Sequence, residues 1–84
     1  MSTDRAQLLA SVGEEMISIR SRLGLDLELA ALLAHLEPER LAEAEAGETA
    51  LSERELQGLA DAYGVEVTAF FGGRVTPVSY LFGA

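Results

Sequence analysis

The sequence has little positive charge and few of the residues that bind metals. It has no cysteine, one histidine and no lysine, and its 6 arginines stand against 14 acidic residues, a formal net charge of -8. Without cysteine there is no disulfide, no thiolate zinc site and no cysteine nucleophile, and one histidine excludes a multi-histidine zinc site. We therefore expect no metal and no cofactor. The acidity also argues against non-specific binding to nucleic acid or to anionic membranes.

Long hydrophobic runs are absent as well. The uncharged stretches are about ten residues or shorter, whereas a membrane span needs roughly 20, and no basic segment followed by an apolar stretch marks a signal peptide at the N-terminus. We expect a cytoplasmic protein that does not enter a membrane. With 84 residues, of which 49% are hydrophobic, the chain has room for one folded domain.

The hydrophobic pattern and the capping residues predict five helical segments. Apolar residues recur every three or four positions in the first segment. Asp26 caps a short second helix, and Pro38 opens a third that ends near Gly47. A capping box from Ser52 to Glu55 opens the fourth, and a fifth covers about residues 67–71. The fold class is therefore all-α, a compact five-helix domain.

The last eleven residues differ from the rest of the chain. We divide the sequence into a helical domain, residues 1–73, and an apolar C-terminal tail, residues 74–84, which is rich in β-forming residues and could form an edge strand around Pro77. Because this tail is so apolar, we expect it to dock on its own domain or to pair with another chain, and we favour dimerisation. The candidate interface residues are Val75, Val78, Tyr80, Leu81 and Phe82.

Several short motifs follow one another in residues 19–71 in a characteristic order and spacing. They are Gly24-Leu25-Asp26, Ala30-Ala31 in the second helix, Leu36-Glu37 at the entry to the third, Leu41, Glu45-Ala46-Gly47, and then Leu56, Leu59-Ala60, Tyr63-Gly64-Val65 and Phe70-Phe71. With these motifs, residues 19–71 resemble the lambda-repressor and Cro-like (XRE-type) helix-turn-helix family, which has Gly-Leu-Ser at the first motif, a buried residue at the position of Leu41 and Glu-x-Gly at the position of Glu45-Ala46-Gly47. The resemblance implies a transcriptional regulator that binds DNA as a homodimer and places its third helix in the major groove.

The third helix departs from this pattern in its charge. Residues 37–48 hold five glutamates and one arginine, and Leu27 stands where the family often has a glutamine that contacts a phosphate. If the family's function is kept, the residues expected at the DNA are Glu37, Glu39, Arg40 and Glu43 in the groove and Arg20, Arg22 and Arg54 near phosphates. Glu45 is a candidate structural residue.

Several alternatives stay open from the sequence. Arg40 can pair with Glu37 or Glu43 within its own helix instead of contacting DNA, and His35, at a turn position where the family has glycine, is best explained by a positive φ. No catalytic constellation is present, so we expect no enzyme. The second hypothesis is an acidic protein-interaction module, antirepressor-like or a non-reading subunit, which binds a basic protein partner rather than DNA.

Overall fold

A computed structural model describes residues 3–73 and Tyr80. Within this part of the chain there are four α-helices, α1 (Thr3–Arg22), α2 (Leu27–Ala34), α3 (Pro38–Glu45) and α4 (Glu53–Tyr63), followed by a 3₁₀ helix (Val67–Phe71). None of these helices is long and apolar enough to cross a membrane. The all-α class is confirmed for the described residues, which include no strand.

The fifth predicted helix forms as a 3₁₀ helix, so the count of five α-helices is not confirmed. The segment Val67–Phe71 is only five residues long and consists mostly of β-branched and aromatic residues, a combination that does not support an α-helix of its own. It is held instead by burial of Phe70 and Phe71 in the core. The edge strand predicted around Pro77 lies outside the described residues.

The core lies where α1 packs on α3 and on the 3₁₀ helix, and where α2 packs on α3 and α4. Its largest fully buried side chains come from α1, α3, α4 and the 3₁₀ helix, together with Leu51 and Tyr80 from outside these elements: Val12, Met16, Leu41, Leu51, Leu56, Leu59, Phe70 and Tyr80. Small residues line the contacts of α2, where Ala30, Ala31 and Ala34 are buried. Because these alanines have short side chains, α2 can approach the neighbouring helices closely.

Two caps fix the starts of helices around the core. The Asp26 carboxylate accepts a hydrogen bond from the backbone N–H of Leu29 at 2.8 Å. The Ser52 hydroxyl accepts one from the N–H of Glu55, and the Glu55 carboxylate accepts one in return from the N–H of Ser52. Both caps follow the sequence prediction, and each satisfies backbone donors that a helix start otherwise leaves without partners.

Gly13 sets the distance between α1 and the end of α3. A Cβ atom at this position would overlap the carbonyl oxygen of Glu45 and would lie 2.8 Å from that of Ala44. The two helices therefore meet backbone to backbone at this point. This contact holds α3, the helix that the resemblance assigns to DNA, directly against the longest helix of the domain.

Candidate nucleic-acid interface

The turn between α2 and α3 consists of residues 35–37. His35 has the left-handed conformation, with φ 60° and ψ 40°, and among the described residues it is the one non-glycine residue with positive φ. The N–H of Leu36 then donates to the carbonyl of Ala31 at 2.8 Å, which ends α2. The positive φ predicted for His35 is confirmed, and the short turn is followed at once by α3, which starts at Pro38.

The exposed surface of α3 is acidic. Glu37, Glu39 and Glu43 are exposed, as is Glu48 just beyond the helix. Leu41 and Ala44 face the core on the opposite side of the helix. The sequence analysis expected Glu37, Glu39 and Glu43 to contact bases, and the structure leaves all three side chains exposed to solvent.

Arg40 on α3 forms an ion pair with a carboxylate on α4. Its Nε donates to Oε2 of Glu55 at 3.1 Å and its Nη2 to Oε1 at 2.9 Å. Further bonds run to the Thr49 hydroxyl at 3.3 Å and to the Ala50 carbonyl at 3.4 Å. The guanidinium lowers the pKa of Glu55 because it hydrogen-bonds the ionised carboxylate. The partner of Arg40 is therefore Glu55 on α4, and not Glu37 or Glu43, the partners within its own helix that the sequence also allowed.

Arg20 is engaged in the same way, at a more buried place. Its Nε and Nη2 donate to the two carboxylate oxygens of Glu45 at 2.7 and 2.9 Å, and its Nη1 donates to the carbonyl of Leu25 at 3.1 Å. The Glu45 side chain is only 7% exposed. This pair joins α1 to the end of α3, so Glu45 has the structural role that the sequence suggested for it.

The other two predicted phosphate contacts are solvent-exposed. Arg22 is the last residue of α1, and Arg54 lies in the first turn of α4. Sequence reasoning grouped Arg20, Arg22 and Arg54 as equivalent, but their surroundings differ. Arg22 and Arg54 can reach a ligand without giving up a buried partner, whereas Arg20 cannot.

Tyr80 is the one predicted interface residue that lies within the described part of the chain. It is fully buried in its own domain: its hydroxyl accepts a hydrogen bond from the N–H of Leu51 at 3.3 Å, its carbonyl accepts one from Arg5, and its ring meets Phe71 edge to face with centroids 5.1 Å apart. Burial raises the pKa of its hydroxyl. The other four candidates, Val75, Val78, Leu81 and Phe82, lie outside the described residues.

The described residues include no group of three or more histidine, cysteine, aspartate or glutamate side chains that could hold a metal ion. What the site offers is a set of exposed acceptors on α3 and two exposed guanidinium groups on the neighbouring helices. Such groups can bind a partner by hydrogen bonds and ion pairs.

Comparison with known proteins agrees with the fold. No protein-family model matches the chain, and no curated protein matches it, but three chains of solved structures do. One is the restriction-modification controller protein C.AhdI from Aeromonas hydrophila, which is 27% identical, with a TM-score of 0.73 over 75% of this chain and 96% of that chain. This match confirms the resemblance found in the sequence.

Proposed function

We propose that this chain, which has the helix-turn-helix fold of the lambda-repressor and Cro-like (XRE-type) family, is a cytoplasmic regulator of transcription that binds DNA and is not an enzyme. The observation that carries the proposal is the arrangement of α2, a three-residue turn and α3 in a domain similar to that of a restriction-modification controller protein. In this arrangement the second of the two helices enters the major groove with its N-terminal residues at the base edges.

The exposed glutamates of α3 would read bases as hydrogen-bond acceptors. Glu39 and Glu43 are exposed on this helix, and Glu37 stands at its N-cap without a side-chain bond to the helix. A carboxylate can accept a hydrogen bond from the N4 amino group of cytosine, which is the base-edge donor that suits it in the major groove. The preferred site should therefore place cytosine opposite Glu39 or Glu43.

Selection from random duplex DNA at about 50 mM salt tests base reading, because low salt favours the detection of weak phosphate contacts. We expect an enriched motif that contains cytosine at the contacted positions. The variant Glu39→Gln should change the selected base there, since an amide prefers adenine. Glu66→Gln, a change of the same kind at an exposed residue outside α2 and α3, is the matched control and should select the parent motif. The absence of any enriched motif would refute the proposal.

Phosphate binding would fall to Arg22 and Arg54. Loss of one phosphate contact reduces the slope of log K against log salt by about 1 and weakens binding equally for all sequences. We expect this result for Arg22→Gln and Arg54→Gln. Arg40 can contact DNA only by exchanging its hydrogen bonds with Glu55, and its replacement by glutamine should change the motif more than the salt slope.

Homodimer formation is the further part of the proposal, since helix-turn-helix proteins bind two half-sites about one helical turn apart. Truncation of the tail is a poor test, because it also removes the buried Tyr80. The double variant Leu81→Ser/Phe82→Ser keeps Tyr80 and changes two of the predicted interface residues. Sedimentation equilibrium should show a dimer for the parent chain and a monomer for this variant; an unchanged mass would exclude these two residues from the interface.

A second function is favoured by the charge of the same surface. Four glutamates on α3 or beside it are exposed, namely Glu37, Glu39, Glu43 and Glu48, while the guanidinium of Arg40 on the same helix is already bound to Glu55. The surface therefore suits a basic protein better than a polyanion. In that case the domain would act as an antirepressor-like module or a non-reading subunit. The DNA selection would then yield no motif, and the chain would co-purify with a more basic protein in a salt-dependent way.

A further inference from the structure

Helix α2 exposes three leucines on its outer side. Leu29 is 43% exposed, Leu32 70% and Leu33 48%. Their spacing of three and four positions places them on one face of the helix, opposite the buried alanines. We call these three residues the α2 leucine face. Single exposed leucines are common on proteins, but three on one face of an eight-residue helix form an apolar patch that a binding partner can cover.

The charged residues along the stretch of chain that carries this face are all acidic. Residues 26–39 contain Asp26, Glu28, Glu37 and Glu39 and neither lysine nor arginine. All four acids are exposed. Glu28 lies one turn before Leu32 on α2 itself. An apolar patch with an acidic rim matches a partner surface with the opposite rim.

We propose that the α2 leucine face binds an amphipathic helix of a protein partner, one that presents apolar side chains flanked by lysine or arginine. The apolar residues of such a helix would cover Leu29, Leu32 and Leu33, and its cations would meet Glu28 and Glu37. This is the helix-on-surface mode of recognition, in which anchors at i, i+3, i+4 and i+7 of the partner supply most of the contact. The inference goes beyond the proposed function, because it concerns α2 and holds whether or not α3 reads DNA.

A second copy of this chain fits the face less well. In a two-fold symmetric contact the same patch lies on both sides, so each Glu28 would meet acids of the other subunit. A basic partner removes this repulsion and gains ion pairs at the rim.

A displayed library of amphipathic helices tests the proposal on the full chain. Every member carries leucine at i, i+3, i+4 and i+7, and the flanking positions vary among lysine, glutamate and glutamine. We expect selection to enrich lysine at the flanks. A selected peptide should then shift the backbone NMR signals of α2, and Leu32→Gln should weaken its binding by at least about tenfold, as expected for the loss of a central apolar anchor.

The matched control is Ile17→Gln, which also removes an exposed apolar side chain (38% exposed), but from α1, a helix that packs mainly on α3 and the 3₁₀ helix. It should bind the selected peptide as the parent chain does. Enrichment of glutamate or glutamine at the flanks, or binding that Leu32→Gln leaves unchanged, would overturn the proposal, as would a library that yields no binder. A dimer that Leu32→Gln converts to a monomer would assign the face to a second copy instead, and vesicle binding that the same variant abolishes would assign it to lipid.

Discussion

Two ion pairs of nearly the same geometry should differ several-fold in their contribution to stability, because they differ in burial. Both arginines grip a carboxylate with two nitrogens: Arg20 binds Glu45 at 2.7 and 2.9 Å, and Arg40 binds Glu55 at 3.1 and 2.9 Å. The side chains of the first pair are 17% and 7% exposed, those of the second 36% and 27%. Solvent therefore screens the second pair and largely fails to reach the first.

The perturbation is Arg20→Met, which keeps most of the side-chain volume and removes the charge. It leaves the Glu45 carboxylate buried without its partner, and breaking a buried pair in this way costs about 3–5 kcal/mol. Arg40→Met leaves the Glu55 carboxylate accessible to water. It should therefore lower the free energy of unfolding by only about 0.2–1 kcal/mol, the range for solvent-accessible pairs. For 84 residues the whole free energy of unfolding is roughly 4–13 kcal/mol, so the first variant should be near the limit of folding.

Urea unfolding at 10 °C, followed by circular dichroism at 222 nm, measures both variants against the parent chain. A third variant, Arg20→Met/Glu45→Leu, removes the stranded carboxylate and should recover most of the lost stability. A loss below about 1 kcal/mol for Arg20→Met, or a loss for Arg40→Met of the same size as that for Arg20→Met, would refute the assignment of the stability difference to burial.

The double variant also tests the predicted DNA contact: an unchanged DNA affinity and salt slope would show that Arg20 binds no phosphate.

Three further changes test other parts of the structure. Gly13→Ala should cost at least about 2 kcal/mol in urea unfolding, like other overpacked contacts, because its Cβ meets the backbone of Glu45 and Ala44; a change within 0.5 kcal/mol, the usual range for surface substitutions, would contradict this contact. Tyr63→Phe should leave the stability unchanged or raise it, since the buried Tyr63 hydroxyl has no hydrogen-bond partner among residues 3–73 and Tyr80, and a clear loss of stability would reveal a partner. In the variant Tyr80→Phe, absorbance at 295 nm follows Tyr63 alone; burial raises its pKa to about 12, so folding stability should fall as pH rises from about 10 to about 12, and a normal titration near pH 10 would contradict the burial of Tyr63.

The sequence was most informative where structure depends on neighbours along the chain. The caps at Asp26 and Ser52 and the positive φ at His35 each follow from residue type at a local position, because a side-chain acceptor or a turn acts over three or four residues. The two helices of the helix-turn-helix could be bounded on this basis to within about a residue. The bounds of the fifth segment, residues 67–71, follow from the sequence as well, but its 3₁₀ geometry does not, because this short, aromatic-rich segment is shaped by burial in the core.

The ion pairs that define the candidate site were not predictable in the same way. Arg20 and Glu45 are 25 positions apart, and Arg40 and Glu55 are 15 apart, so no helical spacing links them. Each pair depends on how two helices pack, which a single sequence does not reveal. The position of Tyr80 beside Leu51 has the same origin, since it brings together residues 29 positions apart.

These pairs change how the charge of the third helix should be understood. Counted along the sequence, residues 37–48 carry five glutamates and one arginine. In the fold Glu45 is withdrawn into a pair with Arg20, and Arg40 is neutralised by Glu55 from α4. What remains at the surface is four glutamates without the offset of Arg40. If α3 reads bases, it reads them mainly through acceptors, and Arg40 takes part only where it exchanges its hydrogen bonds with Glu55. Phosphate affinity would then depend on Arg22 and Arg54. Two phosphate contacts predict a slope of log K against log salt near −2 per subunit. A slope this shallow would distinguish this form of DNA binding from that of a basic helix-turn-helix protein, which makes more phosphate contacts.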